Sequence, residues 1–201
     1  MLKELANSAV TYLHFFWAGL AKQGQTGGIM PSQRLLIAKM ISPVPKSYRR
    51  QVIELGAGNG ALTLRLAARC PEARILACEI NPTLARDVRG KLSAAGLNRR
   101  VEVFGGSAAS LFVGIGQNGI EKPDFVISGI PLGNLAGAKA LALIDTIHRA
   151  LSEGGLFIQF QHSLMDRKKI KSRFPNLRTI PVFLNFPPAV VYYARKQGPK
   201  A

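Results

Sequence analysis

Cysteine, acidic residues and long apolar runs are all scarce in this chain, and each shortage removes a class of protein. The two cysteines, Cys70 and Cys78, follow no metal-ligand spacing. They are also too few for a disulfide framework in 201 residues, so they read as reduced core thiols, and no metal is expected. No segment reaches the ~18 uninterrupted apolar residues that a membrane-spanning helix needs. The apolar stretch 9–21 follows Lys3 and ends in small residues, as a signal peptide does, but Thr11 and His14 interrupt it and Glu4 spoils its flank. A cytoplasmic protein, soluble or peripheral at the cytoplasmic membrane, is expected. Acid is outnumbered, eleven Asp and Glu against twenty-seven Lys and Arg, for a net charge of +16. Such a field attracts polyanions, either nucleic acid or an anionic membrane surface, and charge alone does not choose between them.

What is present is 47% hydrophobic and long enough for one domain with a substantial core. Leu2, Leu5, Ala9, Tyr12, Leu13, Phe16 and Leu20 recur at helical spacing, which predicts an amphipathic helix over 2–21. "GQTGG" breaks it, Pro31-Ser32 suits the start of a second helix, and "SPVPK" ends that one. From residue 51 short apolar runs alternate with helical stretches: 51–55, 74–79, 100–104, 123–128, 155–161, 178–184 and 189–195. That alternation predicts an α/β fold with a mostly parallel sheet, and the last two runs, separated by "NFPP", form an antiparallel hairpin at its edge. This is the outline of the seven-stranded, Rossmann-like class I methyltransferase sheet, with an N-terminal helical extension. The division expected is a helical cap over 1–46, a catalytic domain over 47–201, and a short basic tail, frayed from Lys196.

"VIELGAGNG" (52–60) places Glu54 near a strand end, then Gly56, Gly58 and Gly60 in the turn before a helix that starts at Ala61. Glycines there let the backbone approach a ligand and take φ values closed to other residues. A dinucleotide fingerprint fits loosely, but Glu54 decides against it. An acid at that point attracts the ammonium of S-adenosylmethionine's amino-acid tail and would repel a pyrophosphate. In "LACEINP", Glu79 is placed to accept both ribose hydroxyls and Ile80 to cover an adenine face. "FGGSAA" puts Ser107 where methyltransferases often carry an acid for the adenine amino group, so its hydroxyl or nearby backbone must serve. The cofactor set is therefore Glu54, Gly56, Ala57, Gly58, Asn59, Gly60, Glu79, Ile80, Ser107, Ala108 and Ser128.

The chain resembles the bacterial phospholipid N-methyltransferases, which methylate phosphatidylethanolamine towards phosphatidylcholine. The resemblance runs through "FFWAGLAKQGQTGGIMPSQRLLIAKM", "VIELGAGNGALT", "CEINP", "FVISGIPLGNL", "GGLFIQFQHSL" and "FLNFPPAVVYYARK". It implies that Glu54, Gly56, Gly58 and Glu79 hold the cofactor, that Ser128 to Leu132 flank the methyl donor, and that the N-terminal helix binds the membrane. In two places the chain departs from the family pattern, which has an aspartate where Ser107 stands and a tyrosine near Gln161-His162.

The competing reading is an adenine dimethylase acting on ribosomal RNA, with nucleic acid as partner. Such an enzyme needs an Asn or Asp to orient the amino group and an aromatic ring to stack on a flipped base. Ser128 and Leu132 stand in those places, and no C-terminal domain to grip RNA is expected after Tyr193. A phospholipid amine is therefore the expected substrate. The residues expected at the reacting centre are Ser128, Gly129, Ile130 and Pro131, with His162 and Tyr192 as candidate proton acceptors by type; His14 and Tyr193 are also of that type. Tyr12, Phe15, Phe16 and Trp17 are candidates for substrate or membrane contact. His148, within a helical run, is expected to be structural. "DRKKIKSR" (166–173) reads by default as a solvated helix face, with its cations also suited to an anionic lipid surface.

Overall fold

The computed structural model describes residues 31–113, 115, 121–183 and 188–198. The expected helix over 2–21, His14, Tyr12, Phe15, Phe16, Trp17, the 24–28 break and, of the "NFPP" connection, all but Pro188 lie outside the described residues. The elements are α1 (Pro31–Ile41), β1 (Gln51–Leu55), α2 (Ala61–Arg69), β2 (Arg74–Glu79), α3 (Pro82–Ala94), β3 (Val101–Gly105), α4 (Ala108–Val113) and β4 (Phe125–Ser128). A 3-10 turn (Leu132–Asn134), α5 (Gly137–Ala150), β5 (Leu156–Gln161), α6 (Arg167–Lys171), β6 (Asn176–Val182) and β7 (Ala189–Arg195) complete them. The strand runs expected from sequence fall on these strands with shifts of one or two residues at some ends.

The seven strands form one sheet in the order β3-β2-β1-β4-β5-β7-β6. β1 to β5 pair in parallel, and β7 runs antiparallel to both β5 and β6. Burial on both faces explains the continuous apolar runs of the inner strands. Val52, Ile127 and Ile158 point into one core with Leu36 and Met40 of α1, Leu66 of α2 and Val88 of α3. Ile53, Val126 and Phe157 point into the other with Leu111 of α4, Ile144 and Ile147 of α5 and Ile170 of α6.

Helix α1 packs with the sheet: Leu36, Ile37, Met40, Ile41 and Val44 are buried in the first core, and the Tyr193 hydroxyl donates to the Lys39 carbonyl at 2.6 Å. One expectation is corrected here: fraying does not begin at Lys196, which is 7% exposed; its ammonium donates to the Leu151 carbonyl at 2.8 Å and pairs with Glu153 at 2.9 Å. The long apolar stem is sequestered while the charged tip finds two oxygens. Cys70 and Cys78 are free and buried, as expected.

Candidate active site

β1 lies between β2 and β4, so the chain changes direction across the sheet at β1 and β4. Open α/β sheets bind ligands in the crevice at the carboxyl ends of such strands. The loop after β1 is shaped by glycine: Gly56, Gly58 and Gly60 have φ of 78°, 57° and 82°. At Gly56 an added Cβ would also lie 3.3 Å from Ile130 Cγ1, so both conformation and space exclude a side chain. Gly56 and Ala57 donate their N–H groups to the Cys78 carbonyl at 2.8 and 3.0 Å, which folds the loop back over the end of β2. Asn59 Oδ1 accepts from Ala61 N–H at 3.0 Å at the start of α2.

Glu79, at the end of β2 and 3% exposed, clasps this loop: Oε2 accepts from Gly58 N–H and Oε1 from Asn81 N–H, both at 2.8 Å. Each oxygen retains a second lone pair, the acceptor capacity that a vicinal diol requires. Asn81 caps α3 by accepting from Thr83 and Leu84 N–H groups, and Pro82 occupies the first helical position, which accounts for the "NP" dipeptide. Ile80, between clasp and cap, is 66% exposed.

Glu54 is 1% exposed, and its Oε2 has no hydrogen-bond partner among the described residues. Burial pushes its carboxyl up to about 8, against the pull of the Thr63 hydroxyl, and the Glu79 charge adds to the rise. A buried carboxyl with a spare acceptor is the complement of an ammonium group. The orphaned Glu54 oxygen, the glycine loop, the Glu79 carboxylate and the exposed Ile80 therefore fit S-adenosylmethionine. That cofactor supplies, when bound, an electrophilic methyl group on a sulfonium sulfur.

Three members of the expected set have other duties. Ser107 Oγ accepts from Ser110 N–H at 3.1 Å and lies 2.8 Å from Ser110 Oγ, so the hydroxyl is committed to the start of α4. Ala108 packs into the second core. Ser128 is fully buried, and its Oγ accepts from Ile130 N–H at 3.2 Å; it shapes its own turn rather than lining open space. Gly129 brings the two loops together: its N–H donates to the Leu55 carbonyl at 2.8 Å, and an added Cβ would stand 3.2 Å from the Gly56 carbonyl oxygen. Gly129→Ala is expected to lower stability by about 1–3 kcal/mol in urea unfolding, because backbone on the facing loop has to shift.

Sequence reasoning missed Gln159 and Asp166. Gln159 on β5 pairs with Ser128 on β4 and is fully buried, and its Nε2 donates to the Ile130 carbonyl at 2.9 Å, fixing the loop after β4. Asp166, expected on a solvated face, is 1% exposed; Oδ1 pairs with Lys169 at 2.7 Å and Oδ2 has no hydrogen-bond partner among the described residues. Ile170 is also buried, and Arg173 is paired with Asp145, so the 166–173 segment carries a buried side as well as a cationic one.

His162 is exposed at the end of β5. Its Nδ1 lies 3.1 Å from the Pro188 carbonyl, an acceptor only, so the ring donates from Nδ1. Tyr192 differs from expectation: it is fully buried, its hydroxyl donates to the Ser163 carbonyl at 3.3 Å, and burial, then the Asp166 charge, push its pKa up. A phenol so placed braces the loop after β5 and is not poised to take a proton. His148 sits in α5 with its ring edge-on to Phe174, in keeping with a structural role.

The described carboxylates sort by the end of the sheet they occupy. Glu72, Glu102, Glu121, Asp124 and Glu153 stand at the amino ends of the parallel strands or in the turns just before them, and Asp87 and Asp145 lie on helices. Only Glu54, Glu79 and Asp166, among the described residues, stand at the carboxyl ends or in the loops that follow. No group of side chains that could hold a metal ion occurs among the described residues.

A family model described as "Methyltransferase domain" matches residues 52–155. The ornithine lipid N-methyltransferase of Singulisphaera acidiphila is 31% identical over 171 residues, covering 83% of this chain and 86% of that protein. Among solved structures, an O-methyltransferase from Bacillus cereus in complex with SAH superposes with a TM-score of 0.67 at 17% identity, covering 94% of this chain and 91% of its own. An O-methyltransferase from Streptomyces achromogenes in complex with SAM gives 0.64 at 15%, covering 84% and 81%. With a sheet of this order and a glycine loop clasped by a buried carboxylate, the chain belongs to the class I S-adenosylmethionine-dependent methyltransferases.

Proposed function

We propose that this protein methylates the primary amine of a membrane lipid headgroup, with phosphatidylethanolamine as substrate towards phosphatidylcholine. The observation that carries the reading is the loop after β4. The two positions at which a nucleobase amine would need a polar side chain and a stacking ring hold Ser128 and Leu132, both fully buried, with the Ser128 hydroxyl accepting from Ile130 N–H. That loop is poorly equipped for a flat exocyclic amine and places no such demand on a flexible alkyl amine. A second reading, the amine of an ornithine lipid, is favoured by the 31% identity to the ornithine lipid N-methyltransferase.

The rim of the same end of the sheet supports a lipid substrate. Leu164 and Met165 after β5 and Phe183 after β6 are 57%, 83% and 79% exposed. Apolar side chains on the rim of a protein of net charge +16 suit the surface of an anionic bilayer. No helix among the described residues is long and apolar enough to cross a membrane, and the contact proposed is peripheral. In this reading Glu54 takes the cofactor's ammonium, Glu79 its ribose hydroxyls and Ile80 one adenine face, while Gly129 to Pro131 flank the methyl donor. His162 Nε2 is the proposed acceptor of the proton that an alkylammonium must lose before its nitrogen can attack.

Incubation with methyl-labelled cofactor and vesicles of phosphatidylethanolamine, vesicles of ornithine lipid, or ribosomal RNA tests this directly. Label is expected in the aminolipid fraction, and the lipid that carries it decides between the two headgroups. Label in RNA alone would overturn the lipid reading.

A further inference from the structure

We propose that the Asp166 carboxylate is the substrate-binding group that receives the amine nitrogen about to be methylated. The inference deepens the lipid-amine reading and rests on it. Two carboxylates in the described structure are buried with one oxygen lacking a partner, Glu54 and Asp166. Both stand at the carboxyl end of the sheet, and methyl transfer to an alkyl amine brings two cationic nitrogens there, the cofactor's ammonium and the substrate's amine. Glu54 lies on β1 beside the glycine loop. Asp166 follows β5, on the other side of the β1/β4 division.

The loop after β4 links the two acids. At its first residue, Gly129, an added Cβ would meet the Gly56 carbonyl; at Gly133 an added Cβ would stand 3.4 Å from Asp166 Oδ2. Gly133 thus lies next to the unpartnered oxygen. Although Asp166 precedes α6, its side chain makes no capping bond to that helix, so capping does not account for its burial. Lys169 partly neutralises Oδ1, and Lys169 is itself about a third exposed, a cation that can turn away into solvent. Leu164 and Met165, exposed just ahead of Asp166, offer apolar contact to the acyl part of an amphiphile whose head reaches the acid.

The electrostatics favour the transfer itself. The amine, once it has released a proton to solvent or to a base, forms its bond to the methyl carbon as that carbon's bond to sulfur breaks, and the positive charge passes from sulfur to nitrogen. A carboxylate beside the nitrogen accepts a hydrogen bond from one of its N–H groups and meets a charge that grows along the reaction, so it stabilises the transition state more than the neutral amine.

The test compares wild type, Asp166→Asn and Lys169→Met for kcat and KM on the aminolipid, equilibrium binding of that lipid, cofactor Kd and Tm. For Asp166→Asn, kcat/KM and lipid affinity are expected to fall roughly 10- to 100-fold with cofactor Kd within about twofold of wild type. Lys169→Met removes a competing cation and is expected to lower the lipid KM by about two- to fivefold. If Asp166→Asn does not fold, Lys169→Met decides: a lower KM supports the assignment, and an unchanged or higher KM overturns it. Asp166→Asn that folds and keeps wild-type kcat/KM overturns the assignment while leaving the lipid function intact. A wild-type protein that methylates no aminolipid overturns both.

Discussion

Glu79→Ala is expected to weaken S-adenosylmethionine binding by roughly 100-fold or more in calorimetry, the largest single loss at the site, because charge-assisted hydrogen bonds contribute about 1.5–3 kcal/mol each. The carboxylate has two tasks that fail together. It holds the glycine loop through Gly58 N–H and the start of α3 through Asn81 N–H, each at 2.8 Å. In the proposed function its remaining lone pairs also serve the ribose diol. Removing it leaves two N–H groups short of an acceptor in a part of the chain where Gly58 is buried, so Tm should fall as well. Glu79→Gln separates the tasks in part: the amide keeps the shape and one acceptor oxygen but sets an NH2 against the other N–H, so Tm should recover only partly while affinity stays low. Equal loss of affinity and full loss of Tm in both variants would mean that only the loop, and not the diol, depends on this carboxylate.

Much of this clasp was legible in the sequence because its determinants are local. Glycine at 56, 58 and 60, an acid two residues ahead of them, and the "EINP" strand-to-helix junction each state their backbone requirement within a few positions. The parallel sheet was legible for the same reason, since inner strands buried on both faces must be apolar throughout.

Asp166 was not legible in that way. Its neighbours Arg167, Lys168, Lys169 and Lys171 give a basic segment, and its proximity to Gly133 crosses 33 positions of sequence. One local signal existed: Asp166, Ile170 and Phe174 recur every four residues and are all buried, so the acid shares a stripe with two apolar side chains. Lys196 is illegible for a related reason, because a lysine close to a chain end shows its charge in the sequence and not the Leu151 carbonyl and Glu153 carboxylate that receive it. For Tyr192 the sequence shows only chemical type, and what that type does depends on burial that only the packing of β5, β7 and the following loop reveals. Candidates at the reacting centre were thus easier to place by strand end than by side-chain chemistry.

Cofactor affinity should climb steeply with pH between about 5.5 and 7, by up to tenfold per unit, and the slope should vanish in Glu54→Gln. The sign follows from the raised carboxyl pKa. Burial holds the Glu54 carboxyl near 8 in the ligand-free protein, so below that pH it carries a proton that an incoming ammonium must displace. The cofactor's own α-amino group stays protonated across this window, because its ordinary pKa is about 7.7–8.0, and Glu54 is the group the slope isolates. Binding should therefore release close to one proton, measurable by calorimetry in buffers of different ionisation enthalpy. The same pKa fixes the trend in stability without ligand: a carboxyl raised from 4.5 to about 8 contributes stability that is present below its unfolded value and is lost as pH rises through 8. Ligand-free protein should thus lose Tm from acid towards pH 8 at this site while the liganded protein does not. In Glu54→Gln both trends should flatten together, and a variant that kept the affinity slope would assign the proton to another group.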